Sequence, residues 1–202
     1  MTHRAVIRLL DAGALTDAHL RRFADWLDDS ERERLARFVR LERRRQFLAG
    51  RALARRTLGA VLGLAPAAIR LAERPGAAPV LALPGFDEAG FSISHSGRWV
   101  ACAASASCRV GLDIETVDPR RDIDALAAQA FDARRQAWLR TRPAHTRVND
   151  FYSAWSLLEA RFKLGAEPAS SFDLSRPGLS IVLCCAQALA ASPAVESDTL
   201  AD

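Results

Sequence analysis

The sequence predicts an α+β fold made of two joined halves. Three observations carry that prediction. Apolar periodicity passes from a strand through helices to a meander of short strands, then through a strand, helices and a strand once more. Half of the 202 residues are hydrophobic, enough to bury a substantial core in one domain or in two small halves sharing an interface. No stretch of eighteen or more apolar residues diverts that hydrophobicity to a membrane span.

The elements follow in order. Residues 5–10 form a short apolar strand, and residues 16–27 a helix with Thr16 as its cap and Leu20, Phe23 and Leu27 at helical spacing. Ser30-Glu31-Arg32-Glu33 has the capping-box form that opens a second helix, with Leu35, Phe38 and Leu41 on its apolar side. A third helix over 44–62 carries Phe47, Leu48, Leu53 and Leu58 and ends where Gly63 and Pro66 break the pattern. Strands are expected at 69–71, 79–81, 90–93, 99–104 and 109–115. Helical pattern returns over 122–139 and 148–164, and 179–185 reads as one further strand. These elements divide the chain into halves at 1–108 and 109–191, with a small, acidic tail over 192–202 that is expected to fray. No internal repeat is legible.

Charge narrows the partners. The formal net charge is +4, which suits an anionic ligand or partner. Ten arginines against three glutamates lie between Glu31 and Arg56, drawing phosphate or an acidic protein, although most such charges belong to solvated helix faces. Nucleic acid is disfavoured, because few aromatics interleave with the run and no zinc-finger or helix-turn-helix signature is evident. Lys163 is the only lysine of the sequence, and a compact ammonium kept among arginines suits a site needing a point charge beside phosphate. Cys102, Cys108, Cys184 and Cys185 lie in apolar surroundings without C-x-x-C spacing and read as core residues. The amino terminus has no apolar signal block, so a cytoplasmic protein without a membrane span is expected.

Three segments carry chemistry. In Val110-Gly111-Leu112-Asp113-Ile114-Glu115, strand alternation turns Asp113 and Glu115 to one side, a seat for a hard divalent metal or, taken alone, an exposed sheet face. Trp155, Glu159 and Lys163 are spaced four apart on one helix face, adding a carboxylate and a cation. Phe91-Ser92-Ile93-Ser94-His95-Ser96-Gly97 runs from a strand into a turn with hydroxyls, an imidazole and backbone N–H groups suited to phosphate.

In this order the three segments resemble the Sfp-type phosphopantetheinyl transferases almost motif for motif. Glu33-Arg34-x-x-Arg37-Phe38 and the helix containing Gly50 and Arg51 are similar to that family's amino-terminal half. The resemblance implies two α/β halves related by a pseudo-twofold, with coenzyme A in the cleft between them. It implies an enzyme that moves phosphopantetheine from coenzyme A to a serine of an acyl or peptidyl carrier protein. Asp113, Glu115 and Glu159 match the acidic residues that hold Mg²⁺, and Glu159 also matches the general base. Lys163 matches the lysine at the diphosphate, Ser94 with His95 a phosphate-contacting pair, and Arg34 a basic residue reaching coenzyme A from the other half. A monomer is implied.

The sequence departs from the family in places. Leu158 stands where a lysine precedes the helix glutamate, Gly76-Ala77-Ala78-Pro79 replaces a Gly-Lys-Pro turn, and Arg135 replaces an acidic residue. The segment after Lys163 is short, so part of the second sheet is expected to be missing. Leu158, Arg135 and the short end favour the alternative of a noncatalytic relative that binds coenzyme A or a carrier protein.

Overall fold

The computed structural model describes residues 2–74 and 76–198. In the first half, β1 (Val6–Asp11) leads through α1 (Asp17–Asp25), α2 (Asp29–Ala36) and the long α3 (Leu41–Leu62) to a ribbon of β2 (Leu71–Arg74) and β3 (Ala77–Leu81). A hairpin of β4 (Gly90–Ser96) and β5 (Trp99–Ser105) follows, and β5 lies between β4 and β1, antiparallel to both. In the second half, β6 (Val110–Thr116) leads through α4 (Ile123–Ala130), α5 (Ala133–Arg140) and the long α6 (Ala144–Leu164) to a hairpin of β7 (Ser170–Asp173) and β8 (Leu179–Cys185). There β8 lies between β7 and β6, again antiparallel to both. Each half is thus a strand, a long helix and a hairpin whose last strand returns to the middle, a repetition of topology that the side chains do not announce.

Strand alternation sets the layers. On β5, Val100, Cys102 and Ala104 join Leu53 and Leu58 of α3 in one buried cluster, while Ala101 and Ala103 face the other way. Those two meet Leu112 and Ile114 of β6 and Ile181 and Leu183 of β8, so the two sheets share an interior. Val182 and Cys184 turn outward to Ala160 and Leu164 of α6. The order of layers is helix, sheet, sheet, helix, and the second sheet has the three strands β6, β8 and β7. All four cysteines are free and buried, and burial pushes the Cys102 thiol up to about 12.

Several boundaries differ from the sequence reading. Thr16 caps α1 as expected, its Oγ1 accepting from His19 N at 3.3 Å. The second helix begins two residues early, because Asp28 and not Ser30 caps it: Asp28 Oδ1 accepts from Glu31 N at 2.8 Å while Glu31 Oε2 accepts from Asp28 N at 3.1 Å. The expected helix over 122–139 is two, since extended backbone at Phe131 lets Asp132 cap a new one. The strands β7 and β9 (Val195–Ser197) were not foreseen. β9 pairs parallel with β1, and Asp198 accepts from Arg56 Nε at 3.0 Å, so the tail expected to fray is fastened through residue 198. Positions 199–202 of that tail lie outside the described residues.

Candidate active site at the seam between the halves

β6 is the edge strand of the second sheet, and its outward N–H groups need acceptors. β4 supplies them from side chains. The hydroxyls of Ser92, Ser94 and Ser96 accept from Leu112 N at 2.9 Å, Ile114 N at 3.1 Å and Thr116 N at 2.9 Å. A two-residue period puts all three serines on one face of β4, opposite Phe91, Ile93 and His95, which turn toward α3. Ser94 also donates to Asp113 Oδ1 at 3.0 Å, and Ser96 to Glu115 Oε2 at 2.8 Å.

From the other side α6 delivers Lys163. Gly111 permits the approach: a Cβ there would lie 2.1 Å from Ala160 O and 2.6 Å from Leu164 N, so only glycine lets the strand and helix touch. Lys163 Nζ donates to Asp113 Oδ1 at 2.7 Å, Ser94 Oγ at 3.0 Å and Leu112 O at 3.1 Å, which uses all its hydrogens. Ser94 is likewise saturated, with two bonds accepted and one donated. Asp113 Oδ2 is buried and has no hydrogen-bond partner among the described residues. Burial pushes the Glu115 carboxyl up, the nearby Asp113 charge adds to that, and the Ser96 hydroxyl opposes it. Glu159, one turn before Lys163 on α6, has no hydrogen-bond or ion-pair partner among the described residues.

The structure therefore joins Ser94, Asp113 and Lys163 directly, and places Glu115 beside them through Ser96. Among the described residues no three His, Cys, Asp or Glu side chains converge on one possible metal position, so Asp113, Glu115 and Glu159 do not make a ready-made cage. Mg²⁺ does not require one, because it characteristically binds one or two carboxylates together with substrate phosphates and water. A buried carboxylate oxygen without a donor, beside a second carboxylate, fits such an ion.

Two expected partners are not brought to this cluster. His95 faces away from Ser94, since alternation sends the two to opposite faces of β4. Its Nε2 instead lies 2.9 Å from Arg43 Nη1. A guanidinium has no acceptor, so the imidazole presents its lone pair and is neutral with the proton on Nδ1. Burial and then the Arg43 charge hold its pKa below the ordinary value. Arg34 pairs with Glu73 of β2, within a buried network in which Arg51 Nε lies 3.1 Å from Glu31 and from Glu73, and Arg55 donates to both Glu31 oxygens at 3.1 and 2.6 Å. The arginine run is accordingly not one solvated face: Arg51 and Arg55 are buried, whereas Arg32, Arg37, Arg40, Arg43 and Arg44 are exposed. Leu158 packs against the helical cluster of Phe131, Phe151 and Tyr152, which explains an apolar residue where a cation was expected. Sequence reasoning quoted Ser96 within the Phe91–Gly97 segment without giving it the bonds to Glu115 and Thr116, and it did not distinguish Arg43 from its neighbours in the arginine run.

Two surface hollows of about 420 and 450 Å³, both lined by Arg8 and Ala60, share no residue with this cluster. Among the described residues no helix is long and apolar enough to cross a membrane.

Comparison with known proteins gives the arrangement a context. A family model described as 4'-phosphopantetheinyl transferase, N-terminal, matches residues 15–107, and one for the 4'-phosphopantetheinyl transferase superfamily matches residues 109–181. The 4'-phosphopantetheinyl transferase HetI of a Nostoc species is 32% identical over 149 residues, covering 73% of this chain and 62% of the relative. The 4'-phosphopantetheinyl transferase Sfp of Bacillus subtilis is 30% identical over 142 residues, covering 70% and 61%. The human L-aminoadipate-semialdehyde dehydrogenase-phosphopantetheinyl transferase is 30% identical over 182 residues, covering 78% and 58%. The matched part is thus about three-fifths of each relative's length. With both halves matched in order, and the Asp113–Lys163 cluster between them, the chain belongs to the Sfp-type 4'-phosphopantetheinyl transferase family.

Proposed function

We propose that this protein transfers the phosphopantetheine arm of coenzyme A to a serine of an apo acyl or peptidyl carrier protein, with Mg²⁺, in the cytoplasm. The observation that carries the reading is the buried, unpartnered Asp113 Oδ2 at the seam, beside Lys163 and Glu115. A buried carboxylate oxygen left without a donor is costly unless a ligand completes it. Asp113 and Glu115, with Glu159 nearby on α6, would hold the ion, which when bound supplies charge neutralisation at the diphosphate.

The chain's own residues would do the rest. A serine hydroxyl is a poor nucleophile at neutral pH, and Glu159, without a hydrogen-bond or ion-pair partner among the described residues, takes its proton as the oxygen attacks the β-phosphorus. One phosphorus–oxygen bond forms to the carrier and one breaks to the leaving adenosine 3',5'-bisphosphate. Lys163 keeps positive charge beside Asp113 at that point, and Ser94 fixes both. Positioning and charge neutralisation account for most of the rate in such transfers.

Incubation with coenzyme A, Mg²⁺ and a panel of apo carriers, read by intact-mass spectrometry, tests this. The carrier should gain the mass of one phosphopantetheine, and both EDTA and Glu159→Gln should abolish the gain. Coenzyme A binding without a mass gain on any carrier would instead select the noncatalytic reading.

A further inference from the structure

The three serines of β4 all satisfy the edge of β6, but they differ in what their own hydrogens do. Each hydroxyl oxygen accepts one backbone N–H of β6, which restricts where its single hydrogen can point. Ser94 donates to Asp113 at 3.0 Å and Ser96 to Glu115 at 2.8 Å, each to the carboxylate one residue before the N–H it accepts. Ser92 accepts from Leu112 N, and the residue before Leu112 is Gly111, which has no side chain to receive a hydrogen. The rungs at Ser94 and Ser96 therefore each hold a carboxylate, and the rung at Ser92 holds none.

The two carboxylates are restrained unequally. Asp113 Oδ1 is held by Ser94 and by Lys163, which leaves its buried Oδ2 over. Glu115 has a single restraint: the Ser96 bond to Oε2 is the only hydrogen bond to its carboxylate among the described residues, and it makes no ion pair there. Ser96 is itself locked from two sides, its Oγ accepting from Thr116 N at 2.9 Å and its carbonyl from Thr116 Oγ1 at 3.2 Å. Each carboxylate thus has one oxygen occupied by the protein and one left for a ligand. Cations differ in how they use such a pair. Mg²⁺ demands near-ideal octahedral geometry and is bound through a few carboxylates with phosphate and water, whereas Ca²⁺ takes more oxygens in flexible geometry and accepts both oxygens of one carboxylate.

We propose that Ser96 is a positioning residue that selects Mg²⁺ over Ca²⁺, by holding Glu115 Oε2 so that Oε1 alone is offered to the ion. The proposal rests on the Mg²⁺-dependent reading above. Without the hydroxyl, Glu115 turns freely and closes on Ca²⁺ with both oxygens, while Mg²⁺ loses an oriented ligand and gains none in return.

Isothermal titration of Mg²⁺ and of Ca²⁺ into the folded protein in the presence of coenzyme A, corrected for coenzyme A alone, tests it. Ser96→Ala should weaken Mg²⁺ binding about tenfold, the scale set by losing a hydrogen bond to a metal ligand, and leave Ca²⁺ affinity within about threefold. The ratio of the two affinities therefore falls, and Ser96→Thr, which keeps the hydroxyl, should restore it. Ser92→Ala removes the rung that holds no carboxylate, and should leave the ratio at its wild-type value even though the seam is weakened. If Ser96→Ala does not fold, Ser96→Cys, whose thiol is a weaker donor, should lower the ratio in the same direction. A ratio that is unchanged or raised in the Ser96 variant, or lowered as much by Ser92→Ala, overturns the proposal and leaves the Mg²⁺ reading intact. Wild-type protein that binds neither cation overturns the Mg²⁺ reading, and the proposal with it.

Discussion

His95 shows how one side chain's surroundings decide its chemistry. A histidine among arginines and serines is easily taken for a phosphate-binding cation, but burial and the Arg43 guanidinium lower its pKa and favour the neutral form. Its folded-state pKa lies below the unfolded value, so the unfolded chain takes up a proton that the folded one refuses. The stability His95 contributes is therefore present above the ordinary value near 6.5 and is lost as pH falls from there toward the folded pKa. Ring-nitrogen titration by nuclear magnetic resonance should place the His95 midpoint below 6.5, with the Nδ1–H tautomer at neutral pH. A midpoint at or above 6.5 would overturn the acceptor role given to Nε2. The acidic residues and Lys163 of the site were legible in the sequence because three motifs stand in a fixed order. Arg43 was not, since the sequence reports its charge and not its contact with His95.

At the scale of elements, the approach of α6 to β6 is the arrangement on which the site depends. Gly111→Ala would set a methyl group 2.1 Å from Ala160 O, and neither backbone can yield without displacing Lys163 from Asp113. The expected loss exceeds the ~1–3 kcal/mol typical of overpacking, measured by urea denaturation, and is accompanied by loss of the proposed transfer activity. A variant of wild-type stability would mean that the helix can shift freely. Long periodic segments were the readable ones: α1 announced itself through Thr16, and α3 through its apolar spacing and Gly63. The start of α2 was misplaced because Asp28 and Ser30 are both good caps, and the hydrogen bonds of Glu31 decide between them. β7 and β9 are four and three residues long, too short for alternation to declare itself, and β9 exists only because β1 offers it an edge.

For the whole molecule, the repeated strand, helix and hairpin was invisible in the sequence because the halves share topology and not composition. α3 carries arginine and alanine, whereas α6 carries aromatic residues and the site. The halves are joined by a shared apolar interior and by the serine hydroxyls of β4 on the backbone of β6. Unfolding should therefore be one transition, with tryptophan fluorescence and circular dichroism coinciding. Ser92→Ala, which leaves the buried Leu112 N–H without its acceptor, should cost about 1–3 kcal/mol while both probes still move together. Separate transitions in the wild-type protein would mean that the halves fold independently. The serine contacts also bear on how the molecule behaves in a crowd. An uncovered edge strand is a template on which another chain can extend the sheet, and β6 would be such a template if its outward N–H groups were bare. Hydroxyl oxygens occupy them without offering a further strand edge in return, so the contact that assembles the candidate site also guards the protein against aggregation.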